Sequence, residues 1–400
     1  MLELNVYATL VIASLVLLAG RKLVNGFRVL QTYSIPEPVA GGLLVAIMLY
    51  ALYATSGNQI RFDNTLSAPL MLTFFSCIGL NADLASLKQG GKRMVVFLGV
   101  VAGFLIMQNR LGLLIARSMG LNPLIGLLAG SISLSGGHGT GAAWGKVFSE
   151  RYGFPSASEI ALACATFGLV LGGLIGGPLA NRLSRMVSLP TRSDDGNQLS
   201  VFEEPGSVRL ITAPAMIETL ALIAVCLMGG QLVSDALSGT FLELPTFVCS
   251  LFVGVLLRNI LGAIGFYQVF ERAVSVLGNV ALSLFLANAL MSLRLWELAS
   301  LALPMLVLLT CQTALMALYA RFVTFPMMGS TYDAAVIAAG HCGFGLGATP
   351  TAVANMQAVT ERFGPSHVAF LVVPMVGAFF IDIANATVIK LFLILPFFSN

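Results

Sequence analysis

Charge is what this 400-residue chain has least of. Only 10% of its residues are Asp, Glu, Lys or Arg, against roughly a quarter in a soluble domain. So little charge excludes a water-soluble globular shell and a disordered polar chain. Histidine is almost missing, with three copies, and the six cysteines (Cys77, Cys164, Cys226, Cys249, Cys311, Cys342) make no Cys-x-x-Cys pair. No zinc site or disulfide framework is expected from such spacing, and the cysteines read as small buried hydrophobes. The 21 basic residues against 18 acidic ones leave a net charge of +3 without a basic run, so no nucleic-acid partner is expected. A G-x-S-x-G nucleophile elbow is also missing, which argues against a serine hydrolase built on Ser135 with His138 or His341.

What is present is apolar sequence in blocks, with 57% hydrophobic residues and a mean hydropathy of +0.91. The blocks predict an all-α polytopic membrane protein with ten spans, at 4–20, 36–55, 65–81, 94–116, 156–180, 210–232, 241–261, 274–292, 298–320 and 366–393. Each is close to the ~20 residues that cross a bilayer. The first is not read as a cleaved signal, because no basic segment precedes it and Arg21 and Lys22 follow it. A start outside the cell puts 14 of the 21 basic residues on the cytoplasmic side. The bias predicts both termini in the periplasm and the central loop in the cytoplasm.

That loop, 186–208, holds Pro190, Thr191, Arg192, Ser193, Asp194, Asp195, Gly196 and Asn197, and separates residues 1–185 from 209–400. An odd number of spans on each side makes the two halves an inverted repeat. Pro36 and Pro245 enter matching spans at an offset of 245 − 36 = 209, and Gly139-Thr140-Gly141-Ala142 matches Gly345-Leu346-Gly347-Ala348 at 345 − 139 = 206. In each half a glycine-rich apolar segment is left over, at 121–150 and 331–362. Each is expected to be a re-entrant helix–loop–helix hairpin, entering from opposite sides with tips near the midplane.

The first hairpin carries Ser135, Gly136, Gly137, His138, Gly139, Thr140 and Gly141, and the second carries Gly345, Gly347, Thr349 and Thr351 around Pro350. Glycine lets backbone N–H groups approach a ligand, and a helix resuming near Gly141 and near Thr351 would turn its N-terminus toward an anion. Tight helix packing is the competing reading of these glycines, and for Gly168, Gly172 and Gly176 in the fifth span it is the better one. Either histidine could serve substrate or proton, or simply bond local backbone. Asp382 lies mid-span with Asn385 on the same face. A central Asp costs about 2.5–3.5 kcal/mol to insert, so it needs a cation, a substrate ammonium or a polar clamp. Asn81 and Asn288 could add oxygens to a Na⁺ site. Asp333 could supply a further oxygen or equally cap a helix, Glu37 reads as part of a scaffold helix, and Arg110 and Arg117 stay outside the site.

At SLSGGHGTGAAW (133–144), ATFGLVLGGLIGGP (165–178), ELPTFVC (243–249), YDAAVIAAGHCGFGLGATPTA (332–352) and FGPSHVAFLVVPMVGAFFIDIAN (363–385), the chain resembles the bacterial sodium/glutamate symporter family. The resemblance runs through nearly the whole length. It implies Na⁺-coupled uptake of L-glutamate across an inner membrane by a homodimer, without an enzymatic cofactor. Related citrate carriers suggest an elevator mechanism, in which a hairpin-bearing bundle moves against a dimerising scaffold. The loop motifs carry over to Ser135–Gly141 and Gly340–Thr351. A proton-coupled carrier of a small dicarboxylate or amino acid, and a passive channel, remain as alternatives.

Overall fold

The computed structural model describes residues 2–32, 35–56, 60–84, 91–187, 210–240, 244–265, 267–292 and 301–394. The predicted linker at 186–208 lies outside the described residues except at its first two positions. Helix accounts for nearly everything else, as it must where the surroundings offer backbone groups no water.

In the first half these helices are α1 (Val6–Gly26), α2 (Glu37–Ser56), α3 (Ser67–Asn81) and α4 (Gly91–Ser118). Short α5 (Pro123–Leu127) runs into a wide π-type turn at Leu128–Ile132, and α6 (Gly137–Arg151) and α7 (Ala157–Ser184) follow. The second half has α8 (Ala213–Leu237), α9 (Thr246–Ile264), α10 (Glu271–Met291) and α11 (Ala302–Tyr319), which is prolonged to Met327. After these come α12 (Tyr332–Leu346), α13 (Thr349–Phe363), α14 (His367–Met375), a further π-type turn at Val376–Phe380 and α15 (Ile381–Leu393). A two-residue parallel pairing of Leu2–Glu3 with Ile60–Arg61 ties the start of the chain to the α2–α3 connection. Start positions repeat at a near-constant offset: 213 − 6 = 207 for α1 and α8, 246 − 37 = 209 for α2 and α9, 332 − 123 = 209 for α5 and α12, and 367 − 157 = 210 for α7 and α14.

Among the described residues seven helices are long and apolar enough to cross a bilayer. The α14–α15 pair, bent by 46°, makes eight if it is counted as one span, and Glu37–Leu52, Ser67–Asn81 and Pro123–Ile132 are shorter apolar helices. The fold is that of an all-α polytopic membrane protein.

The helices sort into two bundles. In one, α3 packs on α9 and α10, α1 on α2 and α10, and α8 on α9. In the other, α7 packs on α6, α12 and α13, while α4 packs on α5, α11 and α15. Between the bundles, among the described residues, α6 with α10, α9 with α15, and α3 with the Val376–Phe380 turn make the appreciable contacts. The stripe Gly168, Gly172, Gly176 packs the second bundle: a Cβ on Gly168 would lie 2.1 Å from the Leu346 carbonyl oxygen, and one on Gly176 would lie 2.1 Å from Asn355 Nδ2.

Three local expectations need correction. The helices after the glycine runs begin at Gly137 and Thr349, not at Gly141 and Thr351, because Gly139, Gly141 and Gly345 all sit inside helices. Packing on both sides outweighs glycine's low helix propensity there: a Cβ on Gly139 would meet the Phe74 ring at 2.7 Å, and one on Gly345 would meet Met316 Sδ at 2.8 Å. For the same reason the Gly139/Gly345 match is not structural, since Gly139 follows the break of its segment and Gly345 precedes its own. Pro36 and Pro245 do match, each standing immediately before a helix. Asp333 is no cap either. Thr331 caps α12 by accepting from Ala334 N, while Asp333 takes the Ser366 hydroxyl at 2.7 Å and Arg93 at 3.4 Å.

Candidate functional site

A cavity of about 490 Å³ lies in the seam between the bundles. The first bundle contributes Phe74 and Asn81 from α3 and Ser275, Asn279 and Leu282 from α10; the second contributes residues 135–139, residues 347–350, Ala378 and Asp382. Both glycine segments therefore reach the same space. Their breaks touch: a Cβ on Gly137 would lie 3.4 Å from the Gly347 carbonyl oxygen, and Ser135 Oγ lies 3.0 Å from the Gly345 carbonyl. Gly137 holds φ at +67°, where a side chain is strained, which makes glycine a requirement of this turn.

The two helices that begin at the breaks, α6 and α13, have no side-chain cap; their N-caps are Gly136 and Ala348. The first N–H groups of each are left for a ligand, with the positive end of the helix dipole behind them. Pro350 sits in the first turn of α13, where its missing N–H costs nothing. The cavity has one acidic side chain, Asp382, and no Lys or Arg.

Of the predicted substrate contacts, Ser135, Gly136, Gly137, His138, Gly139, Gly347 and Thr349 line the cavity. Thr349 Oγ1 also donates to the Gly377 carbonyl at 2.9 Å, tying α13 to the turn before α15. Thr140 stands behind the wall and donates to Asp382 Oδ1 at 3.3 Å. Gly141 packs on Ala161 of α7, Gly345 offers only its carbonyl, and Thr351 is buried with no hydrogen-bond partner for its hydroxyl among the described residues.

His138 Nε2 lies 3.0 Å from Thr166 Oγ1, whose own proton goes to the Leu162 carbonyl at 2.9 Å. The ring nitrogen is therefore the donor of that bond. His341 is different. It is fully buried, its Nδ1 lies 2.9 Å from Thr324 Oγ1, and its ring packs among Phe97, Phe104, Tyr319 and Phe344.

The four predicted ion ligands divide. Asp382 lines the cavity, and Asn385, one turn on, donates from Nδ2 to the Ser131 carbonyl at 2.9 Å. Asn385 Oδ1, Ser131 Oγ and Ser133 Oγ are buried without hydrogen-bond partners among the described residues. Carboxylate, amide and hydroxyl oxygens are the donor types a hard cation takes. Asn81 faces the cavity from the opposite bundle, donating to Ser275 Oγ at 3.1 Å. Asn288 is not brought to these groups: it donates to Ser67 Oγ at 2.8 Å and Asn64 Oδ1 at 3.2 Å, clamping α10 to the start of α3.

Three buried amides of the second bundle went unread in the sequence. Gln108 takes the Ser135 hydroxyl at 2.7 Å and donates to the Gly345 carbonyl at 3.0 Å, so it joins both glycine segments. Gln312 donates to the Gln108 carbonyl at 2.8 Å, and Asn109 accepts from Ser131 N at 2.9 Å. That last N–H is released where Gly130 leaves helical geometry (φ −103°, ψ −137°). Polar side chains in mid-span were the available signal. Further along the seam, a second cavity of about 310 Å³ is lined by Ser67, Ala289 and Ser292 on one side and Ala142, Lys146 and Glu159 on the other.

Comparison with known proteins gives the family. A family profile described as sodium/glutamate symporter matches residues 2–365. A protein of Escherichia coli (strain K12) named sodium/glutamate symporter is 64% identical over 401 aligned positions, covering 100% of each chain. One of the same name from Haemophilus influenzae is 54% identical over 389 positions, covering 96% of each. The chain belongs to the sodium/glutamate symporter family.

Proposed function

We propose that this protein is a sodium-coupled symporter that carries L-glutamate into the cell across the inner membrane, with the seam cavity as its binding site. It is a transporter, not an enzyme, and Na⁺ is its coupling ion. The observation that carries the site assignment is the convergence of two uncapped helix N-termini and one carboxylate on a single cavity.

Na⁺ binds first, between the Asp382 carboxylate and the orphaned oxygens of Asn385, Ser131 and Ser133. It neutralises Asp382 and orders the hairpin tips. Glutamate then sets its carboxylates against the N-termini of α6 and α13, whose backbone N–H groups are the donors, while Ser135, His138 and Thr349, which donate to Gln108, Thr166 and Gly377, hold the wall in place. A cavity without basic side chains suits this order, because the glutamate anion meets helix dipoles only after the negative Asp382 has been matched by a cation. Asn81 and Asn279 close the site from the opposite bundle. Glutamate carries one net negative charge, so one Na⁺ gives a neutral step. A second makes transport electrogenic, worth about 2.3 kcal/mol per charge per 100 mV.

The lightly packed seam supports an elevator movement, with α1–α3 and α8–α10 as scaffold and the remaining helices as carrier. We count ten spans, adding α2, α3 and the bent α14–α15 pair to the long helices. The segments around α5–α6 and α12–α13 are re-entrant: α6, α12 and α13 are 15 residues each, about 22 Å at 1.5 Å per residue, short of a ~30 Å core. The repeating start offsets support two inverted halves, 1–185 and 209–400, joined by a cytoplasmic linker, with both termini periplasmic. The scaffold is the dimerising surface.

Uptake of labelled L-glutamate by purified protein in liposomes tests the function. Accumulation above equilibrium under an inward Na⁺ gradient, and none under choline, is the expected result. His138 and Asp382 both face the cavity, so proton coupling is the second reading; accumulation driven by a proton gradient without Na⁺ would replace the coupling ion and keep the site.

A further inference from the structure

Arg110 is a charge inside a long apolar helix that the transport account leaves unused. It lies in α4, which has Lys92 and Arg93 near its start and Arg117 near its end. Arg110 is seven residues before Arg117, about 10 Å further into the helix at 1.5 Å per residue. It takes part in none of the ion pairs or side-chain hydrogen bonds found among the described residues. Such a position is costly without an anion or a route to the interface.

Its surroundings supply the rest. Arg110 sits in a groove of about 480 Å³ on the outside of the second bundle, between α4 and α15. Ile106, Leu113 and Leu114 share its helix face, and Val388, Leu391 and Phe392 form the facing side. Val388 and Phe392 are buried and make the floor, whereas Leu114 and Leu391 are 68% and 59% exposed and stand as walls. No lining residue is acidic. A cation in an otherwise apolar, open groove, with Ile106 one turn before it and Leu113 and Leu114 one turn after it, matches an amphiphile with an anionic head and a hydrocarbon tail.

We propose that this groove binds one anionic phospholipid, its phosphate on the Arg110 guanidinium and an acyl chain along Val388 and Phe392. The site belongs to the bundle that carries the cavity, on its lipid-facing side.

Native mass spectrometry of the purified protein in mild detergent tests this, with phosphatidylglycerol, phosphatidylcholine of the same chains, or inorganic phosphate added. Wild type is expected to retain one phosphatidylglycerol per chain in preference to phosphatidylcholine. Arg110→Gln should weaken that retention about five- to tenfold. Leu114→Trp, which keeps the charge and fills the groove, should weaken it as well. Equal retention by wild type and both variants would overturn the proposal. So would displacement of the lipid by inorganic phosphate, which would mean a site for the anion alone. A dimer that dissociates in Arg110→Gln would overturn it too, since a second copy would then be the occupant.

Discussion

Gln108 carries no charge, yet it holds the two glycine segments in register through the Ser135 hydroxyl and the Gly345 carbonyl. Replacing it with Leu removes a donor and an acceptor from a buried network at a cost of about 1–3 kcal/mol. We expect Gln108→Leu to lower the melting temperature in detergent and to cut uptake about tenfold, whereas Gln108→Glu should retain the Ser135 bond and part of the rate. An unchanged melting curve would show that the bonds do not hold the tips. At this scale the sequence was partly legible. Asp382 announced itself because a carboxylate in an apolar run needs a partner, and Ser135 because it stands beside glycines. Gln108, Asn109 and Gln312 passed unread because a neutral amide perturbs hydropathy little. Asn288 has a contact that only the tertiary fold reveals, the Nδ2 clamp to Ser67, while its Oδ1 is buried without a partner among the described residues.

The elements divide by how they are buried. Spans such as α1, α4 and α7 could be read from length and hydropathy alone. The helices around the breaks could not, because α12 is buried along nearly its whole length and so shows no polar face. Glycine there looks like loop in sequence and acts as a packing surface in the fold. Gly168 makes the point testable. A Cβ at that position would lie 2.1 Å from the Leu346 carbonyl and 2.7 Å from Leu134 Cδ2, so Gly168→Val must push α12 away from α7. Overpacking of this kind costs about 1–3 kcal/mol. A lower melting temperature, with glutamate protecting the variant less than the wild type, is the expected result. A variant as stable and as well protected as wild type would mean that α7 does not position the second segment.

The whole molecule is organised around a seam that no local sequence signal reveals, since it depends on which faces are left unpacked after each bundle forms. If one bundle moves along the other, joining them must stop transport without emptying the site. A Cβ on Gly139 would lie 3.1 Å from Leu282 Cδ1 across the seam. The pair Gly139→Cys with Leu282→Cys should therefore cross-link on oxidation, and the oxidised protein should transport less than the same variant reduced; uptake that continues through the cross-linked state would rule the movement out. The central claim is narrower, that Na⁺ at Asp382 creates the glutamate site. Calorimetric titration of glutamate into purified protein, with and without Na⁺, for wild type and Asp382→Asn, addresses it most directly. The account predicts that Na⁺ tightens binding at least about tenfold in wild type, some 1.4 kcal/mol of coupling, and has no effect in Asp382→Asn. Equal Na⁺ dependence in the two proteins would contradict it.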